Sequence, residues 1–192
     1  MFSAGWGFFL TPDANSLGDW KGPIALDNGA WSAYQKGEPW SPDRFIPLVE
    51  RYGEASDFVV SPDIVAGGLP SLKRSLDWLP RLLSKCPRVL IPVQDGMSPK
   101  DVEDYLSDRV GVFVGGSTDW KLGAMRSFCE AATRRGAWSH VGRVNSVRRI
   151  NLCLSSCATS FDGTSVSRYV KTLPSLDAAR RQSTLFDRFD NV

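Results

Sequence analysis

Apolar residues along the chain come in two patterns: short dense runs, and longer stretches in which they recur every three or four positions. The dense runs predict buried strands and the periodic stretches predict amphipathic helices. Ile24-Ala25-Leu26 is the first clear strand and leads into Asp27-Asn28-Gly29, with Trp6 to Leu10 a further candidate upstream. Pro42 to Tyr52 predicts a helix, with Ser41 as N-cap, Pro42 in the first position and Gly53 after its end. Asp57 to Val60 reads as a strand that stops at Ser61-Pro62-Asp63, and Ser71 to Lys85 as a helix with Leu72, Leu76, Leu79 and Leu83 on one face. Arg88 to Val93 is the next strand, ending at Gln94-Asp95-Gly96, and Ser98-Pro99 opens a helix to about Leu106. Val110 to Val114 is a strand ending in Gly115-Gly116-Ser117, followed by a helix over Asp119 to Arg135. Trp138 to Val141 is a strand ending near Gly142-Arg143, with a short helix around Val147 to Asn151. The run from Cys157 to Phe161 closes the series and stops at Asp162-Gly163.

Strands that alternate with helices in this way form a parallel sheet covered by helices. Six strand-then-helix units are visible within 192 residues. Seven or eight would close a barrel, whereas five or six would leave an open doubly wound sheet. The expected fold is α/β: a compact, trimmed TIM-like (β/α) barrel without a zinc subdomain. Residues 1–170 would form a single catalytic barrel domain, and 171–192 a basic, polar C-terminal extension.

Composition adds little to this outline: 42% hydrophobic and 23% charged residues are those of a soluble globular domain. No apolar run approaches the roughly 20 residues of a membrane span, and Met1 to Trp6 lacks the basic and apolar regions of a secretory signal. Cys86, Cys129, Cys153 and Cys157 form no C-x-x-C pair, which suits free thiols in a reducing cytoplasm. Cys153 and Cys157 read as small buried residues on or beside a strand. Charge is more informative. The net of +2 divides unevenly, because residues 134–192 hold 10 Lys and Arg against 4 Asp and Glu. A basic final third points to a polyanionic partner, the plainer alternative being a solvated basic face.

Each expected strand ends in polar or glycine residues: Asp27-Asn28-Gly29, Asp63, Gln94-Asp95-Gly96, Gly115-Gly116, His140 with Arg143, and Asp162-Gly163. In a parallel α/β fold these ends face one side, so residues distant in sequence meet at one mouth. Singly, most could be turn or cap residues. Jointly they form a set without a metal cluster, a Walker loop, or a Ser-His-Asp arrangement around the one histidine. Two carboxylates can divide nucleophilic and proton-transfer roles at an acetal-like carbon. A third acid, an amide and glycine backbone can read the edge of a purine-like base. Such a set fits cleavage or exchange at an N-glycosidic bond.

These residues resemble the queuine/archaeosine tRNA-guanine transglycosylase superfamily, and most closely its short phage-associated branch that places 7-deazaguanine derivatives in DNA. "LDNGAW" (Leu26 to Trp31) is similar to the family's aspartate-Ser-Gly-Gly-aromatic motif, and "VVSPDIV" to the strand ending in its base-recognising aspartate. "LIPVQDGMSPKDVEDYL" is similar to the Val-Gln-Gly-Gly segment, "FVGGSTDWKLG" to the Gly-Gly-Leu-Ala-Val-Gly segment, and "SFDGTSVSR" stands where the nucleophilic aspartate belongs. The zinc-binding subdomain of the tRNA enzymes is missing from this chain, and Asn28 and Ala30 replace small family residues.

The resemblance implies a DNA-guanine transglycosylase in which Asp162 is the nucleophile and Asp27 the acid or base. Asp63, Gln94, Gly115 and Gly116 would hold the base, joined by Asn28 and His140. Arg143, Arg148, Arg149 and Arg168 would meet the phosphates. DNA and a free 7-deazapurine would be the substrates, with no cofactor, metal or membrane, in the host cytoplasm for a phage-encoded chain. Two other readings stay open: an N-glycosidic hydrolase, either DNA glycosylase or nucleoside hydrolase, and a non-catalytic partner subunit that binds DNA or a purine.

Overall fold

The computed structural model of the chain describes residues 6–13, 16–165 and 169–181. One sheet of seven strands runs through it: β1 (Phe8–Leu10), β2 (Ile24–Leu26), β3 (Phe58–Val60), β4 (Val89–Val93), β5 (Val110–Val114), β6 (Ser139–Val141) and β7 (Ser160–Phe161). All neighbours are parallel and the spatial order is the sequence order. A doubly wound sheet reverses its order at a switch point; this one does not. Its crossovers all run the same way, so helices cover one face and the sheet curls around the other.

The result is a curled half-barrel. Phe9 of β1 reaches across the inside to Phe113 of β5 and His140 of β6, with ring centroids 6.3 and 5.6 Å apart. Trp6 meets Phe161 of β7 edge-on at 6.1 Å. Among the described residues β1 and β7 approach in this way without pairing.

The strands are nearly all apolar because both faces are buried. Val89, Ile91 and Val93 of β4 lie under the helices, whereas Leu90 joins Phe58 and Val60 inside, together with Phe9, Ala25, Phe113 and Trp138. Gly111 is required where β5 passes β6. A Cβ there would lie 2.1 Å from the Trp138 carbonyl oxygen and 2.7 Å from Leu90 Cδ2.

Six helices are described: α1 (Ala30–Lys36), α2 (Pro42–Tyr52), α3 (Gly68–Leu83), α4 (Thr118–Arg134), α5 (Val147–Ser155) and α6 (Leu173–Arg181). Helix α1 was not expected, since Asp27-Asn28-Gly29 reads as a turn. Gly29, at φ 77°, instead turns the chain into a helix whose first amide, Ala30 N–H, is accepted by Asn28 Oδ1 at 2.7 Å. The helix expected from Ser98 to Leu106 is replaced by two 3₁₀ turns, Pro99–Asp101 and Glu103–Tyr105. Asp101 closes the first turn by accepting from Ser98 N–H, and Val102 leaves helical geometry at φ −122° with its side chain buried. The pull of Val102 into the core thus breaks the helical start.

At the other end, α5 continues to Ser155 and a left-handed turn at Cys157, φ 56°, delays β7 to Ser160. Cys153 is buried on α5 and Cys157 is exposed in the turn, so neither is a strand residue. Leu176 and Ala179 of α6 belong to the main core. No described helix is long and apolar enough to cross a membrane.

Candidate active site

Register determines which strand-end side chains meet. Phe113 pairs with both Pro92 and His140, and His140 pairs with Ser160, so these residues share the inner face. Two positions further along come Gln94, Gly115, Gly142 and Asp162, on the same face by the twofold repeat of a strand. Asp27 stands likewise two positions beyond Ala25, which lines the interior. The ladder continues to these ends: Asp27 N–H donates to Leu10 O, Gly142 N–H to Val114 O, and Asp162 N–H to Val141 O. Backbone pairing therefore holds both carboxylates at the mouth.

Asp162 is held at both oxygens. Oδ1 lies 3.1 Å from His140 Nε2, and Oδ2 accepts the Arg143 backbone N–H at 3.2 Å. The buried His140 ring stacks on Phe113 at 5.3 Å, and its Nδ1 lies 2.7 Å from Ser160 Oγ. Ser160 Oγ also accepts from Trp138 Nε1 at 2.7 Å. Indole can only donate, so Ser160 Oγ accepts from Trp138, and because the Asp162 carboxylate can only accept, His140 Nε2 is the donor of that pair.

A Ser-His-Asp set, which the sequence pattern did not reveal, is thus assembled. However, Ser160 lies two residues deeper along the strand than Asp162, between an indole and an imidazole. It positions the histidine rather than facing the mouth.

Asp27 is differently placed. Its Oδ1 accepts a long bond, 3.2 Å, from Gly29 N–H. Burial, reinforced by the charges of Asp162 and Asp63, pushes its carboxyl up to about 7. Burial also raises Asp63 to about 6, opposed by a 2.9 Å hydrogen bond from Asn28 Nδ2 and by the Arg74 charge. Asp27 therefore senses both of the other acids named from sequence.

The remaining expected base-binding residues are more committed to the scaffold. Asn28 donates to Ser61 O at 2.7 Å and to Asp63, and accepts from Ala30, so its polar groups are used in positioning Asp63. Gln94 Nε2 donates to Ile64 O at 2.9 Å and Ser71 Oγ at 2.6 Å, leaving its Oε1 to offer a ligand. The Gly115 N–H is given to Val93 O. Gly116, at φ 71°, allows close approach: a Cβ there would lie 2.6 Å from Asp95 Oδ2 and 2.8 Å from the Trp120 ring.

The arginines separate into two groups. Arg143 crosses the rim: its guanidinium donates to Gly116 O and lies 4.6 Å from the centre of the Trp31 ring. Arg148 is exposed beside it, and half-buried Arg149 reaches Arg143 O at 3.4 Å. Arg168 lies outside the described residues. Elsewhere in the basic third, Arg134 and Arg135 pair with Glu103 and Asp104, and Arg180 and Arg181 with Asp177. Much of that charge is neutralised locally.

Ser160, Trp138 and Lys121 were not foreseen from sequence. Lys121 is 1% exposed, and its Nζ donates to Gly142 O behind the mouth. Its signal was a lysine on the buried stripe of α4 with Met125, Phe128 and Ala132. Among the described residues no group of three or more His, Cys, Asp or Glu could hold a metal ion. Neither protein-family models nor curated proteins give a match to this chain.

Proposed function

We propose that the chain exchanges guanine in DNA for a 7-deazaguanine base through a covalent glycosyl intermediate on Asp162. The observation that carries this reading is the split between two carboxylates at one mouth. Asp162 accepts from two fixed N–H donors, while Asp27 keeps its proton up to about 7. Carboxylates whose environments differ in this way can divide nucleophilic and acid–base work. The choice of DNA and of a deazapurine rests on the family resemblance.

In the first step an Asp162 oxygen attacks C1′, the C1′–N9 bond breaks, and guanine leaves with a proton from Asp27. In the second, the incoming base returns a proton to Asp27 as its N9 attacks C1′, and the Asp162 carboxylate is released. A group with its pKa near neutrality suits both transfers. Asp63 and the Gln94 Oε1 would face the hydrogen-bonding edge of either purine. Extruding the nucleotide from duplex DNA costs a few kcal/mol, so unpaired guanine should react faster.

The test is mass spectrometry of nucleosides from guanine-containing DNA incubated with the protein and candidate deazapurines. The expected result is one deazapurine nucleoside formed per guanine released. Guanine release without incorporation would make the protein a hydrolase. Neither product would overturn the glycosyl chemistry and leave a binding subunit.

A further inference from the structure

Gly142 and Arg143 share one peptide unit, and its two polar ends have different partners. The Gly142 carbonyl accepts from Lys121 Nζ, while the Arg143 N–H donates to Asp162 Oδ2 at 3.2 Å. A trans peptide points its C=O and N–H in opposite directions, so the ammonium and the carboxylate lie on opposite sides of one planar group. We propose that Lys121 is a positioning residue for Asp162, acting from behind the sheet by polarising the Gly142–Arg143 peptide and fixing the N–H that orients the carboxylate. The inference rests on the reading of Asp162 as the reacting group.

Several features favour this arrangement over simple packing. A lysine 1% exposed is costly to keep charged, and a methionine would fill the same stripe of α4. Among the described residues no carboxylate lies within salt-bridge distance of it, so the Gly142 carbonyl is the partner that the fold provides. A cation on a carbonyl oxygen strengthens donation by the N–H of the same peptide.

The turn is built to keep that N–H aimed. Arg143 holds φ 59°, a left-handed conformation unfavourable for a side-chain-bearing residue. A Cβ on Gly142 would lie 2.7 Å from Phe113 and 3.4 Å from Asp162 Oδ1. The peptide is therefore pressed against the site, with Lys121 on its far side.

The charged and titratable groups facing Lys121 are Arg143 in the turn, Asp162 after β7, and Arg149 and Cys153 on α5. Burial, helped by the two arginines, lowers the ammonium to about 8, against the opposing pull of Asp162. Burial holds Cys153 up at about 12 and Cys129, on α4 itself, at about 11, so neither thiol titrates in the same range.

The test follows the Arg143 amide by proton–nitrogen NMR on the full chain from about pH 6 to about pH 10. In the wild type the Arg143 amide proton should move upfield with a midpoint near 8 as Lys121 loses its charge. In Lys121→Met that midpoint should disappear, while the titration of Asp27 near 7 remains. An Arg143 amide that stays flat through pH 8 in the wild type, or titrates alike in Lys121→Met, would overturn the proposal. If Lys121→Met does not fold, the wild-type titration decides alone. No turnover is measured, so a failure to exchange bases would count against the proposed function without producing either of those spectra.

Discussion

Replacing Asp27 by asparagine should stabilise the protein, and increasingly so as the pH rises. In the unfolded chain this carboxyl ionises near 3.8, whereas in the fold it holds its proton to about 7. Below 3.8 both states are protonated and the group costs nothing through ionisation. Between the two values the unfolded chain releases its proton and the folded chain keeps it, so stability falls by about 1.4 kcal/mol per pH unit. Above 7 the loss levels off at about 4 kcal/mol.

Asparagine has nearly the same shape, its Oδ1 can still accept from Gly29 N–H, and it does not titrate. Its advantage should be about 3 kcal/mol larger at about pH 8.5 than at about pH 5. Any constant effect of the amide cancels in that difference. For a chain of this length each kcal/mol is about 2–4 °C in Tm, so the pH-dependent part amounts to about 6–12 °C. Urea denaturation of both proteins at the two pH values measures it. The same variant should lose base exchange, a gain in stability at the expense of function. A gain equal at both pH values, or one smaller at the higher pH than at the lower, would refute the placement of Asp27 as a half-buried, crowded acid.

Other replacements bear on the rest of the site. His140→Phe keeps the stack on Phe113 but strips Asp162 of one donor and Ser160 of its ring partner; denaturation should show a loss of about 1–3 kcal/mol, with adduct formation reduced. Gln94→Ala removes one of two donors from both Ile64 O and Ser71 Oγ, so calorimetry should show purine binding falling more than DNA binding, with a stability loss of similar size. Arg148→Ala combined with Arg149→Ala should weaken binding to any DNA sequence. It should also flatten the plot of log affinity against log salt by roughly 0.9 for each duplex phosphate that is no longer neutralised; an unchanged slope would return these arginines to a solvated face.

The strands and the long helices could be read from the sequence because their signals are local. Val110 to Val114 is continuous β-rich apolar sequence, and Pro42 to Tyr52 carries its cap and its stop. Helix α1 was hidden because Asn28 and Gly29 are turn formers that here initiate a helix. The stretch after Ser98 departs from its helical pattern because burial of Val102, a tertiary effect, outweighs a helical start. Asp27 and Asp162 could be placed at one mouth because each directly follows an apolar run read as a parallel strand. The commitments of Asn28 and Gln94 could not be read, since their partners Ser61, Ile64 and Ser71 lie on other elements. Nor could the chain Trp138–Ser160–His140–Asp162, which needs the register of β6 against β7.

The most direct measurement of the central claim is the site of covalent attachment. The protein would be incubated with a guanine-containing oligonucleotide, quenched in acid, digested, and its peptides mapped by mass spectrometry. A deoxyribosyl adduct should appear on the peptide carrying Asp162, together with released guanine, and no adduct in Asp162→Asn. Guanine release with no adduct in the wild type, or an adduct that persists in Asp162→Asn, would contradict that claim.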